Sequence, residues 1–212
     1  MIDIKEIFIY HITHLKNLSK ILRSECLWCD NETAQQTLNV VGIAHDHIKK
    51  RRQKCAVPFE NRGFVADYVP FYFAPRSPML SAIHNGRVEN YSEGQSQVIH
   101  LVSKVEKVLE AGLPFVFTEG QADMATTRFF ENPQDFDKID WEIMKDRYWA
   151  DTDEDGDRSR RRKAEFLVHN SFPVQLINGI AVISEAVKIQ VEGTLKKTGI
   201  EMNVVVRRNW YY

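Results

Sequence analysis

Short apolar stretches alternate with polar ones along the whole chain, and their spacing changes between the strand and helix periods. Strand-like runs occupy 7–10, 64–73, 97–102, 114–117, 164–168, 179–184 and 203–208. Helix-like spacing occupies 14–23, 41–52, 77–86, 105–111, 140–149 and 185–197, and polar stretches that predict loops occupy 30–40 and 151–163. Because these elements do not alternate as regular βαβ units, the pattern predicts an α+β fold.

Two prolines add predictions about where these elements begin or become irregular. Ser77-Pro78 combines an N-cap residue with proline at the first helical position, which predicts a helix start. Pro70 lies inside the strand-like run 64–73, and it predicts a sheet edge or a bulge there, since proline lacks the N–H that a central strand donates.

Length and composition predict one globular domain over residues 1–212. Hydrophobic residues make up 43% of the 212 residues, and the net charge is −1. This balance argues against a wholesale basic nucleic-acid binder but leaves local basic patches open. No apolar run approaches the ~20 residues of a membrane span, and Met1–Glu6 is too charged for a secretory signal. The odd count of three cysteines suits a reducing compartment, so the prediction is a cytoplasmic protein without membrane association.

Two possible metal motifs fail on their ligands. Cys26, Cys29 and Cys55 with His45 and His47 could form a zinc site on paper, but their spacing matches no common zinc module. We therefore predict that the cysteines fill small apolar spaces.

The run Asp151–Gly156 opens like an EF-hand calcium loop. Its twelfth position, where a bidentate glutamate belongs, is Arg162. A cation there would repel calcium, so the prediction is a charged loop and no metal cofactor.

Glu165 stands where a long charged stretch gives way to the strand-like run 164–168. Taken alone, it reads as a surface carboxylate paired with a nearby arginine, since glutamate is seldom fully buried. A carboxylate at the start of a buried strand is costly unless it has a use, and this makes Glu165 a candidate site residue.

Three other segments carry candidate chemistry. Tyr10–His14 joins a strand to a helix, where free N–H groups favour anionic ligands, or where Thr13 acts only as a cap. The basic cluster 49–52 with Lys54 is either a solvated helix end or a phosphate contact. Phe71–Phe73, followed by Arg76, is either core or a wall on which a ring stacks.

Together these segments resemble the DarT family, toxin ADP-ribosyltransferases that modify thymidine in single-stranded DNA. The resemblance rests on four blocks in order, which are Tyr10–His14, Ile48–Arg52, Asp67–Met79 and Lys163–Val168. Weaker similarities occur at Gly112–Thr118 and at the closing Trp210–Tyr212.

The resemblance implies an ADP-ribosyltransferase fold of two packed sheets around a cleft for NAD⁺ as co-substrate. It implies that His11, Ile12, Thr13 and, nearby, Lys20 hold NAD⁺, that Arg52 and Glu165 are catalytic, and that Arg52 also contacts NAD⁺. The stretch 119–163 would read the substrate. DNA contacts are expected from Lys49, Lys50, Arg51, Tyr72, Arg76, Tyr148 and Trp149.

The resemblance also implies two partners, which are single-stranded DNA and a macrodomain antitoxin that removes the ADP-ribose. The sequence leaves other functions open. The chain could be an ADP-ribosyltransferase acting on RNA or protein, or a non-catalytic module that binds single strands. A metal-dependent nuclease ranks last, because the acidic residues crowd into one predicted loop.

Overall fold

A computed structural model describes residues 3–212; Met1 and Ile2, which belong to the predicted domain of residues 1–212, lie outside the described residues. The strands are β1 Phe8–His14, β2 Cys26–Trp28, β3 Tyr68–Tyr72, β4 Val98–Lys104, β5 Phe115–Thr118, β6 Phe129–Phe130, β7 Glu165–His169, β8 Ser171–Pro173, β9 Gly179–Val182 and β10 Val204–Val206. The α-helices are α1 Leu18–Arg23, α2 Asp30–Gln35, α3 Asp46–Arg52, α4 Pro78–His84, α5 Val105–Glu110, α6 Trp141–Lys145, α7 Arg158–Arg161 and α8 Glu185–Thr198.

The large sheet consists of two halves that meet at one pair of residues. Its eight strands follow the order β10-β9-β4-β1-β3-β7-β5-β6. In one half β1 pairs with β4 over its full length, and in the other β3 does the same with β7. Between the halves, β1 and β3 of the described chain pair only at Tyr10 and Tyr72. Beyond this pair the two strands separate, so the sheet is split along its middle.

Pro70 explains the separation. Continuing the register would place Pro70 opposite Ile12, and the N and C=O of one strand residue point towards the same neighbour. The C=O of Pro70 accepts a hydrogen bond from His11 Nδ1 at 2.8 Å, so its ring nitrogen also points towards β1 and has no proton to donate. The sequence predicted a sheet edge or a bulge at Pro70, but β3 lies inside the sheet and pairs with β7 without a bulge. Pro70 instead marks a break in the pairing with β1, and the His11 ring spans the gap.

A second sheet of two strands packs on the large one. β2 pairs with β8 in antiparallel orientation. Phe172 of β8 contacts Phe71 of β3, with ring centroids 4.8 Å apart, and both rings are buried in the main core. Burial of such aromatic area is a main source of stability. The predicted α+β fold with two packed sheets is confirmed.

Two helices, α4 and α8, begin with a serine whose hydroxyl caps the first turn, as the sequence predicted for α4. Ser77 Oγ accepts a hydrogen bond from the Leu80 N–H at 3.1 Å, with Pro78 at the first helical position. α8 starts in the same way at Ser184 and ends at Gly199, whose φ of 70° is the left-handed conformation that glycine adopts without strain. Within residues 3–212, no helix combines the length and apolar character that crossing a bilayer demands.

Two predicted helices are shorter than the apolar spacing indicated. The helix predicted over 41–52 begins at Asp46, because the residues before it form the wall of a cavity. The helix predicted over 140–149 ends at Lys145. There the buried guanidinium of Arg162 donates to the carbonyl groups of Ile143 and Asp146. These bonds satisfy carbonyl groups that have no partner within the helix once it ends.

Two predicted loops contain helices, and one strand is longer than predicted. Asp30–Gln35 is helical and is capped by Cys29, whose Sγ accepts from the Glu32 N–H. Arg158–Arg161 is a short helix within the charged stretch. The strand predicted over 7–10 continues to His14 because all of it pairs with β4. Long-range pairing therefore overrode the local pattern.

A buried histidine connects β4 with the C-terminal residues. His100 Nε2 lies 3.0 Å from the Pro75 C=O, which can only accept, so Nε2 carries the proton. Nδ1 faces the Tyr211 hydroxyl at 3.1 Å. Burial lowers the pKa of His100 to about 4, and the ring is neutral in the folded protein at neutral pH.

We expect the free energy of unfolding to fall as the pH drops from 6.5, the ordinary pKa of histidine, to about 4, the folded-state pKa of His100. In this window the unfolded chain binds a proton that the folded chain does not, so His100 contributes a loss of up to about 3 kcal/mol. Urea unfolding at pH values across the window measures it. His100→Gln should flatten the dependence, and an unchanged slope would contradict this account.

Candidate active site

A cavity of about 330 Å³ opens where β1 and β3 separate. Ligand sites commonly hold roughly 300–1,000 Å³. The predicted site residues that line it are His11, Ile12, Thr13, Lys20, Lys49, Arg52, Tyr72 and Glu165. Lys50 and Arg51 line a shallow depression elsewhere on the surface. Arg76, Tyr148 and Trp149 line neither.

Arg52 and Glu165 form a buried ion pair in this cavity. Arg52 is the last residue of α3, and Glu165 is the first residue of β7. Arg52 Nη1 donates to Glu165 Oε2 at 2.7 Å, and the two residues are 7% and 4% exposed. Taking two charges out of water is unfavourable, and only direct contact with further hydrogen bonds offsets it.

The second oxygen of Glu165 has its own partner. The Ala122 N–H donates to Oε1 at 2.9 Å. At the backbone, the Glu165 N–H donates to Thr118 Oγ1 at 3.2 Å, and the Thr118 hydroxyl donates to the Gly120 C=O at 2.6 Å. Both carboxylate oxygens are thus engaged, and the segment after β5 determines how the carboxylate is oriented.

Arg52 remains a cation and has a donor to spare. Burial works against its charge, but the attraction of Glu165 and of Asp30 prevails, and the pKa of Arg52 is raised. Its Nη2 is buried without a hydrogen-bond partner among the described residues. An unpaired buried donor is costly, so an acceptor on a bound ligand would be stabilised there.

His11 and Tyr72 are neutral groups in the same cavity. Burial lowers the pKa of His11, and because its Nδ1 proton is donated to Pro70, Nε2 is left as an acceptor. Tyr72 lies opposite Glu165 in the β3–β7 ladder. Burial and the nearby Glu165 charge raise the pKa of Tyr72, so its hydroxyl stays protonated.

Charged groups at the α2 and α3 side complete the cavity. Lys49 Nζ lies 3.4 Å from Asp30 Oδ1, and Lys20 lines the cavity from α1. Neutral rings beside cations suit a ligand that carries both an aromatic ring and phosphate groups.

Arg51 points into the surface depression and is paired there. Its Nε donates to Asp123 Oδ2 at 2.7 Å, and the Asp123 side chain is fully enclosed. Lys50 and Lys54 are exposed beside it. The same loop after β5 therefore contacts both partners of the buried pair: Ala122 donates to Glu165, and Asp123 accepts from Arg51, the residue before Arg52.

The remaining predicted DNA contacts differ in exposure. The Arg76 guanidinium lies 4.0 Å above the Tyr212 ring, and Nη1 donates to the Tyr211 C=O at 2.6 Å. The Trp149 indole N–H donates to the Tyr212 hydroxyl at 2.8 Å. Tyr148, in contrast, is 79% exposed. Intramolecular contacts hold Arg76 and Trp149, whereas Tyr148 is free to stack.

Sequence reasoning missed part of the cavity wall. Leu38 and residues 40–45 line it, and so do Asp30 and Gln121. The one local signal was the apolar run Val40-Val41-Gly42-Ile43 beside a polar stretch. Most of this run also fits helical spacing and was therefore assigned to the helix predicted over 41–52. Gln121 carries no signal, because the fold alone brings its loop to Glu165.

The charged stretch and the cysteines take ordinary structural roles. Asp155 pairs with Arg161, and Asp157 accepts from Arg160 at 2.6 Å. All three cysteines are free. Across residues 3–212, no three His, Cys, Asp or Glu side chains gather as they would around a metal ion.

Solved structures of DarT proteins match this fold closely. Thermus sp. 2.9 DarT in complex with ADP-ribosylated single-stranded DNA superposes with a TM-score of 0.90 at 42% identity, covering 97% of this chain and 96% of that one. The same protein in complex with NAD⁺ matches with a TM-score of 0.87 at 40% identity, covering 97% and 98%. Thermosipho africanus DarTG in complex with ADP-ribose has a TM-score of 0.78 at 18% identity, which supports the fold alone.

Relatives of assigned activity extend over nearly the whole chain. A DNA ADP-ribosyl transferase of Thermus sp. (strain 2.9) is 43% identical over 206 residues, covering 96% of this chain and 95% of the relative. A DNA ADP-ribosyl transferase of Escherichia coli O127:H6 is 34% identical over 204 residues, covering 96% and 93%.

Fold, cavity and relatives together define an ADP-ribosyltransferase that acts on DNA. The family model described as "ssDNA thymidine ADP-ribosyltransferase, DarT" matches residues 10–212, and the chain belongs to this family. The resemblance predicted from the four sequence blocks is confirmed.

We expect Arg52→Met to destabilise the protein by about 3 kcal/mol, because it leaves the Glu165 charge buried without its partner. The double variant Arg52→Met/Glu165→Leu should regain most of this loss, since no unpaired charge remains. Urea unfolding of the two variants and the wild type measures both values. A double variant no more stable than the single one would show that the pair is not the cause.

Proposed function

We propose that this protein transfers ADP-ribose from NAD⁺ to thymidine bases of single-stranded DNA in a sequence-dependent manner and releases nicotinamide. The observation that carries the proposal is the buried Arg52–Glu165 pair in a cavity of nucleotide size, in a chain of the DarT family. The complexes of Thermus sp. 2.9 DarT with NAD⁺ and with ADP-ribosylated single-stranded DNA support both substrates.

In this proposal, one wall of the cavity holds NAD⁺. His11 accepts a hydrogen bond through Nε2, Thr13 offers its hydroxyl, and Ile12 supplies apolar contact from the same strand. Lys20 and the unpartnered Nη2 of Arg52 attract the pyrophosphate oxygens. Neutral His11 suits this role, because a protonated imidazole would repel the positively charged nicotinamide ring.

Glu165 and Arg52 act on the transferred group. As the C1′–nicotinamide bond breaks, the ribose gains positive charge, and the Glu165 carboxylate stabilises that charge. Thymine N3 forms the new bond to C1′, nicotinamide leaves as a neutral base with the electron pair of the broken bond, and the N3 proton is released to solvent. The raised pKa of Arg52 makes it a poor base, so we assign it the stabilisation of the developing thymine anion.

We propose that DNA approaches the exposed basic surface of α3. Lys50 and Arg51, with Lys49 nearer the cavity, contact phosphates, and these contacts position the strand without reading its sequence. Exposed Tyr148 stacks on a base, and Tyr72 contacts the target base inside the cavity. For Arg76 and Trp149 a direct DNA contact remains a prediction, and their packing on Tyr212 supports a role in holding the loop 119–163.

The same proposal covers the biological setting. An ADP-ribose group on thymine N3 blocks the base-pairing edge of that base, so we propose a toxin restrained by a macrodomain antitoxin, as the family resemblance implies. We place it in the cytoplasm, where DNA and NAD⁺ meet, and treat residues 1–212 as one DarT-type domain. The free cysteines are compatible with a reducing compartment.

We expect a thymidine-containing single-stranded oligonucleotide to gain one ADP-ribose unit when incubated with the protein and NAD⁺, as measured by mass spectrometry. Glu165→Gln keeps the size of the side chain and removes its charge, and it should reduce transfer at least about 100-fold. Glu192→Gln, an exposed change on α8, is the matched control and should retain full activity.

The outcomes separate the rival acceptors. NAD⁺ consumed without a modified oligonucleotide would favour RNA or protein as the acceptor. NAD⁺ left intact across oligonucleotides of varied sequence would contradict the proposal and favour a non-catalytic binding module.

We expect Lys50→Ala to weaken the salt dependence of DNA binding more than Arg51→Ala does. Both side chains are exposed, but Arg51 is already paired with Asp123, whereas Lys50 has no ion-pair partner within residues 3–212. A phosphate contact of Lys50 therefore releases more counterion from the DNA. Losing one full phosphate contact lowers the slope of log K against log salt by about 0.7 for single strands. Fluorescence anisotropy at several salt concentrations measures it, and equal slopes would refute the difference.

A further inference from the structure

The buried side chain of Asn17 binds the backbone of a segment far away in sequence. Its Oδ1 accepts from the Val41 N–H at 2.8 Å, and its Nδ2 donates to the Val41 C=O at 2.9 Å. Asn17 is 5% exposed and lies between β1 and α1. Its carboxamide thus makes the two hydrogen bonds that a residue of a neighbouring strand would make.

Val41 is the one point at which its segment is held by hydrogen bonds. Among the backbone groups of residues 39–44, only those of Val41 have hydrogen-bond partners within the described chain. Leu38 and residues 40–45 line the cavity. Val41 and Ile43 also belong to the apolar cluster that includes Ile12, but apolar packing is non-directional and does not determine the register of the wall.

Asn17 also orients a second cavity residue. Its Nδ2 donates to Thr13 Oγ1 at 3.1 Å. With its oxygen accepting this bond, the Thr13 hydroxyl keeps its own proton free for another acceptor. Thr13 lines the cavity, so that acceptor can belong to a ligand.

We infer that Asn17 is a positioning residue for the co-substrate: it clamps the cavity wall at Val41 and makes the Thr13 hydroxyl a donor to NAD⁺. The inference rests on the proposed function, since it takes NAD⁺ as the ligand. Without the clamp, binding would have to order the wall, and this cost falls on affinity rather than on the chemical step.

The test uses carba-NAD⁺ as the probe, because its binding needs no transfer to DNA. Asn17→Asp keeps the size but replaces the donor with an oxygen that opposes the Val41 C=O. Calorimetry should show a dissociation constant raised about tenfold or more, as expected for the loss of one or two hydrogen bonds. The turnover number at saturating NAD⁺ should stay within about twofold of wild type, while KM for NAD⁺ rises.

Amide exchange of Val41 gives a readout that requires no ligand. Its N–H should exchange at least about tenfold faster in Asn17→Asp, since repulsion between the new carboxylate oxygen and the Val41 C=O moves Val41 away from the remaining acceptor oxygen. Ser103→Ala is the matched control: Ser103 is also buried and donates to the Leu176 C=O at 2.6 Å, away from the cavity. It should leave both the affinity and the Val41 exchange unchanged.

Each outcome decides something. Wild-type affinity and wild-type Val41 exchange in Asn17→Asp would overturn the inference. A wild-type protein that binds no carba-NAD⁺ would overturn the proposed function, and Val41 exchange would still decide whether the clamp exists. If Asn17→Asp does not fold, Asn17→Ser, which is too short to reach both Val41 groups, replaces it under the same criteria.

Discussion

The missing N–H of Pro70 is the constraint on which the site depends. Because Pro70 cannot donate towards β1, the central pairing of the large sheet stops after Tyr10 and Tyr72, and the two halves of the sheet separate. His11 spans the gap through its ring and is thereby held in one tautomer. A single residue without a donor thus creates the cavity and prepares one of the groups that line it.

Into this gap the fold brings two charges that are 113 residues apart in sequence. Arg52 arrives at the end of α3 and Glu165 at the start of β7, and the loop after β5 holds both. Ala122 donates to Glu165, and Asp123 accepts from Arg51, the neighbour of Arg52. The geometry of this ion pair is therefore fixed by contacts from outside the cavity, and such preorganisation lowers the reorganisation that a transition state requires.

Side chains replace backbone pairing at both edges of the cavity. His11 takes the place of a ladder bond at Pro70, and Asn17 makes a pair of such bonds at Val41. These contacts satisfy the Pro70 C=O and both backbone groups of Val41 while the strands remain apart, which leaves space for a ligand. The basic surface is arranged in a related way, since Asp123 neutralises part of its charge and leaves Lys50 exposed.

The sequence by itself determined the family, the α+β class and the capped start of α4, because these depend on local pattern and on motifs at fixed positions. It also identified Glu165 as a carboxylate at the start of a buried strand. Only the tertiary structure decided that residues 38 and 40–45 form a cavity wall and that Asn17 holds it. It alone decided that Ala122 orients Glu165, because these contacts join segments whose separation in the chain leaves no periodic signal.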